Sequence, residues 1–175
     1  PEILAQYADQ DSRVRVLTNE AQRERSYSRN RAIMETRGKY VAISDDDDIS
    51  APDRLRLQYK ALEQDPQLGM VGTWAVEIDD NGKTFGRITP PTDPSELRRR
   101  ILYKCLFWPC VMARRTVLVD AGLYDEQLNS SEDYDLYLRV LELSKVANLP
   151  EFLLSYRLDW RNRVRTDRYR RMKHL

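Results

Sequence analysis

Residues 44–53 read "SDDDDISAPD", with four consecutive carboxylates, Asp45, Asp46, Asp47 and Asp48, a fifth at Asp53 and no base among them. Like charges this close repel unless a cation or a positive ligand shares the site. Along an extended segment Asp45 and Asp47 project to the same face, as two ligands of one divalent cation must. The alternative is a solvated loop in which Asp48 or Ser50 caps the following helix and the acids favour its N-terminus. A cap accounts for one or two of these acids and leaves the others unexplained. His174 is the only histidine, and Cys105 and Cys110 are the only cysteines. An ion here would therefore take oxygen ligands, which suits Mg, Mn or Ca rather than structural zinc.

Two further stretches could do chemistry. In "NSSEDYDLYLRV" Asp133 can face a cleft and accept a proton from a substrate hydroxyl, or it can close a capping box with Ser130. In "RERSYSRNRAI" the arginines, Arg29 above all, form either a cluster that meets a diphosphate or a solvated helix face.

Elements must carry these residues to one place. "PEILAQYA" reads as a short helix with Pro1 in its first turn, residues 13–17 ("RVRVL") as a strand, and residues 26–37 as a helix with Ile33 and Met34 on its apolar side. "KYVAIS" is a continuous apolar run, the pattern of a strand covered on both faces. Ser50, Pro52 and Asp53 form a start signal for a helix whose apolar face is Leu55, Tyr59 and Leu62. "MVGTWAVEID" and "KTFGRI", joined at Asn81-Gly82, predict a hairpin. "ILYKCLFWPCVMA" reads as a helix end followed by a strand, and "EDYDLYLRVLEL" as a helix. Strands alternating with helices predict one α/β domain with a mostly parallel sheet, whose ligand crevice lies beyond the strand ends where "KYVAI" meets the acidic run.

Composition narrows the function. The 175 residues carry 29 basic against 28 acidic side chains, so no global field points to nucleic acid or an acidic polymer. "CLFWPC" reads as core rather than as a disulfide framework, which fits a reducing cytoplasm. No apolar run approaches the roughly 20 residues of a membrane span, and no signal-peptide pattern opens the chain.

Taken in order and spacing, "SYSRNRAI", "GKYVAISDDDDISAPDRL", "GMVGTW", "PPTDPSELRRRIL", "WPCVMARRTVLVDAGLYDE", "SEDYDLYLRV" and "VANLPEFLLSYR" resemble the family 2 glycosyltransferases of the GT-A fold. The resemblance covers nearly the whole chain up to Arg157. It implies a Rossmann-like mixed sheet flanked by helices, with residues 1–157 as a partial catalytic domain and 158–175 as a basic tail. The usual opening strand, helix and second strand have no counterpart here, so the expectation is either a truncated piece or a sheet completed by a second copy or another chain. The implied reaction is inverting, non-processive transfer of a sugar from a nucleoside diphosphate sugar, a UDP-sugar being the expected donor, to the hydroxyl of a saccharide or lipid-linked acceptor. Asp45 and Asp47 match the family's Asp-any-Asp motif and would hold Mn or Mg, with Asp47 the principal ligand. Arg29, Asn30, Asp45 and Asp46 fall on the donor side. Glu132 and Asp133 match the Glu-Asp pair on the acceptor side, with Asp133 as catalytic base.

Departures from the family's pattern are few. Ala32 replaces a usual glycine, Ser44 an apolar residue, and Trp108 a histidine that often precedes the proline. No Gln-any-any-Arg-Trp motif follows Asp133, which speaks against a processive synthase. The tail, "RLDWRNRVRTDRYRRMKHL", suits either a solvated end or contact with an anionic membrane at its inner face. The rival readings are a catalytically incomplete binding or assembly module of the same fold, and a hydrolase with Asp47 and Asp133 facing each other across a sugar.

Overall fold

The computed structural model describes residues 2–107, 110–128 and 130–158. Pro1, Trp108 and the tail from residue 159, on which sequence expectations were placed, lie outside them. Twelve elements follow in order: α1 (Glu2–Gln10), α2 (Arg25–Glu35), β1 (Tyr40–Ala42), β2 (Ile49–Ser50), α3 (Arg54–Gln64), β3 (Leu68–Ile78), β4 (Thr84–Ile88), α4 (Pro94–Arg100), β5 (Met112–Arg114), α5 (Arg115–Asp120), α6 (Glu132–Leu143) and β6 (Lys145–Arg157). The strands form one sheet in the order β1-β5-β3-β6-β2, with β4 paired to β3.

The sheet is mixed, and the expectation of a mostly parallel one is corrected: β3 and β6 run parallel, and the other described pairings are antiparallel. β6 runs on past Pro150, and there its Leu154 and Ser155 also pair antiparallel with β2. Proline has no N–H for the ladder, and the register slips beside it, from Thr73 opposite Leu149 to Trp74 opposite Phe152.

Alternation along the central strands sends neighbours to opposite faces. Met70 and Val146 enter the larger core, formed with Ile33, Leu97, Leu118, Leu136 and Val140 of α2, α4, α5 and α6. Val71 and Met112 enter a second core with Leu62 of α3. The sheet is thus sandwiched between α3 on one side and α2, α4, α5 and α6 on the other, a three-layer α/β arrangement.

Four local expectations are corrected. Residues 13–17 form no strand: no neighbouring strand offers them a ladder, and Arg15 instead donates to the Glu35 carbonyl at 2.9 Å. The "KYVAIS" strand is covered unevenly, with Val41 buried and Ala42 exposed, and among the described residues β1 pairs with β5 alone. Ser50 lies in β2 rather than capping a helix, and α3 buries Arg54, Gln58 and Leu62 while Leu55 and Tyr59 stand exposed. In α2, Ile33 is buried but Met34 faces outward. The hairpin forms as expected, with β3 and β4 joined by a turn in which Asp79 Oδ1 accepts from the Asn81 and Lys83 amides and Gly82 takes a φ of 81°.

Candidate active site

The acidic run makes the turn between β1 and β2, and α3 holds both of its ends from beneath. Arg54, fully buried, donates to the Ile43 carbonyl just before the turn and to Ser50 Oγ just after it at 2.7 Å, while its Nε donates to Gln58 Oε1 at 3.2 Å. Gln58 in turn donates to the Cys110 and Val71 carbonyls at 2.7 and 3.2 Å. Burial pulls the Arg54 pKa down and the nearby Asp48 charge opposes that pull; an arginine so placed stays cationic. From the sheet side, the Arg157 amide donates to Asp48 Oδ1 at 2.8 Å and its guanidinium to the Asp47 carbonyl at 2.9 Å.

Held in this way, Asp45, Asp47 and Asp48 each present a carboxylate oxygen within 4.8 Å of the others. Asp46 is exposed and does not join the group. The second oxygen of Asp48 is buried with no hydrogen-bond partner, and burial, reinforced by the charges of Asp47 and Asp45, pushes its pKa up to about 6. Three hard oxygen donors, one of them orphaned, fit a Mg- or Mn-sized cation.

Arg29 joins this turn to the start of α6. Its Nη2 donates to Asp45 Oδ1 at 2.7 Å and its Nη1 to Asp133 Oδ1 at 3.0 Å, while Glu132 Oε1 lies 3.7 Å away. The guanidinium also rests over the Tyr124 ring, 5.5 Å from its centroid. Burial works to lower the Arg29 pKa, but Asp133, Tyr124 and Asp45 outweigh it and hold the group well above its ordinary value. Asp133 is pulled both ways. Burial raises its pKa, as do the Glu132 and Asp45 charges, while Arg29 and a hydrogen bond from Tyr124 work against the rise; the net shift is upward. Glu132 is buried, 3.1 Å from Arg25.

The capping box expected at Ser130 does not form. Ser131 is the residue before α6, in the left-handed region at φ 64° and without a side-chain cap bond, and the Asp133 carboxylate turns to Arg29 instead. Asn30, one residue from Arg29, points elsewhere. Its amide donates to the Tyr124 carbonyl at 2.9 Å and to Glu126 Oε1 at 3.0 Å, and its oxygen accepts from the Tyr124 amide. It clamps the loop that holds Tyr124 over Arg29. A surface hollow lined by Asn30, Tyr124, Glu126, Asp135 and Arg139 includes none of Asp45, Asp47 and Asp133.

Sequence reasoning did not find Arg54, Tyr124 or Arg157. An arginine four residues ahead of a glutamine on one face of an otherwise amphipathic helix was a signal for the first. The other two carried none, because their partners lie 109 and 94 positions away along the chain.

The description "Glycosyl transferase family 2" belongs to a family model that matches residues 1–120. The chain belongs to glycosyl transferase family 2. It is 34% identical over 160 residues to an uncharacterized glycosyltransferase of Methanocaldococcus jannaschii, covering 90% of this chain and 55% of that protein. It is also 34% identical over 159 residues to the O-antigen biosynthesis glycosyltransferase WbnJ of Escherichia coli, covering 89% and 61%. A UDP-Glc:alpha-D-GlcNAc-diphosphoundecaprenol beta-1,3-glucosyltransferase of Escherichia coli, WfgD, is 26% identical, covering 93% and 62%. The chain thus spans little more than half the length of these family 2 relatives. Among solved structures, S. aureus TarS in complex with UDP superposes with a TM-score of 0.69 at 19% identity, covering 90% of this chain and 47% of that one. A mannosyltransferase of Pyrobaculum calidifontis in complex with GDP-Man and Mn2+ gives 0.63 at 16%, covering 89% and 43%. The fold is therefore GT-A, as the family resemblance implied.

Proposed function

We propose that this family 2 domain transfers a sugar from a nucleoside diphosphate sugar, a UDP-sugar first among them, to the hydroxyl of a saccharide or lipid-linked acceptor, with inversion and in the presence of Mn or Mg. The setting would be polysaccharide or glycoconjugate biosynthesis on the cytoplasmic side of a membrane. The observation that carries the reading is Arg29, whose two nitrogens bond Asp45 of the acidic turn and Asp133 of α6 at once. This support is geometric: a cation-binding turn, a positive guanidinium and a buried carboxylate converge on one point.

In this reading Asp47 and Asp45 hold the ion, with Asp48 as a third oxygen donor. When bound, the ion would neutralise charge that develops on the leaving diphosphate. Arg29 and the exposed Asp46 face the donor, and Asn30 keeps the Tyr124 loop, and through it Arg29, in place. Asp133 takes the proton of the attacking hydroxyl as its oxygen displaces the diphosphate at the anomeric carbon. Glu132 fixes the basic side chains around it.

Calorimetric titration of the chain with UDP, with and without Mn, tests the donor half. Metal-dependent binding lost in Asp47→Ala is the expected result. Binding that ignores both metal and mutation would overturn the metal assignment, and an absence of UDP binding both here and in a chain extended at its N-terminus would favour the binding-module reading. Asp133→Asn, with UDP binding retained, should lower transfer by about a thousandfold.

A further inference from the structure

α4 ends in a turn whose side chains divide sharply. Leu97 and Ile101, four residues apart, point into the core and are fully buried. The chain stays wound for one more turn, with the Tyr103 and Lys104 amides donating to the Arg100 carbonyl at 3.1 and 3.3 Å. Leu102 and Tyr103 therefore project the opposite way, and they stand 63% and 84% exposed. The helix adds Arg98, Arg99 and Arg100 in its last turn, and Lys104 follows. Arg100 pairs with Glu96 at 2.9 Å, whereas Arg99 and Lys104 have no ion-pair partner among the described residues.

We infer that this turn is a docking surface for an anionic phospholipid bilayer. An exposed leucine and tyrosine set among unpaired bases match such a surface at both levels: the apolar pair enters the headgroup boundary while the bases meet lipid phosphate and carboxylate. Charge separates this patch from one other exposed apolar face among the described residues, that of α1. On α1, Ile3, Leu4 and Tyr7 are similarly exposed, but the helix carries Glu2 and Asp9 and no base, which an anionic membrane would repel. Position favours it as well. The Tyr134 hydroxyl donates to the Ile101 carbonyl at 2.6 Å, which fastens the turn to the residue that follows Asp133. A bilayer held at residues 102–104 would bring lipid-linked hydroxyls to the side of the site where Asp133 stands. The inference rests on the acceptor reading above and deepens it.

Flotation of the 175-residue chain with vesicles of phosphatidylglycerol and phosphatidylcholine in equal parts, and with phosphatidylcholine alone, tests it. The expected result is salt-sensitive binding to the anionic vesicles that Leu102→Ser/Tyr103→Ser and Arg99→Glu/Lys104→Glu each lower by about tenfold. These side chains are exposed, so the variants keep the fold, which far-UV circular dichroism checks. Equal partition of wild type onto both vesicle types, or anionic binding unchanged in both variants, would overturn the inference. UDP titration of the same variants keeps the two readings apart: the vesicle phenotype with UDP binding intact supports docking, and a wild type that binds vesicles but never UDP sinks the donor reading while leaving docking in place.

Discussion

At the scale of single residues, Arg29 is, among the described residues, the one cation bonded to both the acidic turn and Asp133. Burial raises the Asp133 pKa, and Arg29 is the main force acting against that rise. The sign of the pH effect follows. A base works only when deprotonated, so removing the countercharge raises the Asp133 pKa further and moves the acid limb of the rate profile to higher pH. Arg29→Gln should show this shift in a pH series of kcat, and Arg29→Lys should return part of it, since lysine keeps the charge but loses the forked geometry. A limb that stays in place in Arg29→Gln would remove Asp133 from the role of base. The thiols give an independent check on burial. Burial pushes Cys105 up to about 11 and Cys110 up to about 12. Neither should react with iodoacetamide in the native chain at neutral pH, and both should do so in urea.

At the scale of elements, the acidic turn is shaped from below by α3. Arg54 and Gln58 are buried polar side chains at core positions, and together they bond Ile43, Ser50, Val71 and Cys110, one residue on each side of the turn and one on each of two neighbouring segments. Arg54→Met keeps the volume but strands the Ile43 carbonyl and Ser50 Oγ, so it should cost about 3 kcal/mol in urea unfolding and weaken Mn binding in the same protein. Lost stability with undiminished Mn affinity would show that the brace supports the fold and not the turn. Gly82, in the neighbouring β3–β4 turn, offers a comparison of backbone strain alone. Its φ of 81° suits glycine, nothing lies near its missing Cβ, and Gly82→Ala should cost about 1 kcal/mol without touching UDP or metal binding.

At the scale of the whole molecule, the acidic turn and Asp133 lie far apart along the chain, at residues 45–48 and 133, and meet because the sheet is folded between two helical layers. Three carboxylates crowded at one sheet end repel one another, so an ion that binds only the folded chain should raise the melting temperature, and Asp47→Ala should abolish that rise. A thermal scan with and without MnCl2 measures it. Among the described residues no helix is long and apolar enough to cross a membrane.

Sequence alone determined whatever depends on residue type and short spacing. The Asn81-Gly82 hairpin, the helices at residues 25–35 and 132–143, and the oxygen-only chemistry of a metal site all follow from local rules. The family did too, because its motifs are short and ordered. Tertiary structure decided the matters that pair distant residues. The run at residues 13–17 has strand alternation, yet a strand needs a neighbour, and none is offered. "KYVAIS" looked doubly covered, yet in the fold Val41 is buried and Ala42 exposed. Leu55 and Tyr59 had the helical spacing of a core face, but the polar pair Arg54 and Gln58 took the interior because the turn above them needed donors. Asp133 could have capped its helix, but its carboxylate went to a guanidinium more than a hundred residues away in sequence. Local propensities are worth tenths of a kcal/mol per residue, whereas a buried charge left without its partner costs several; where the two compete, the long-range pairing wins.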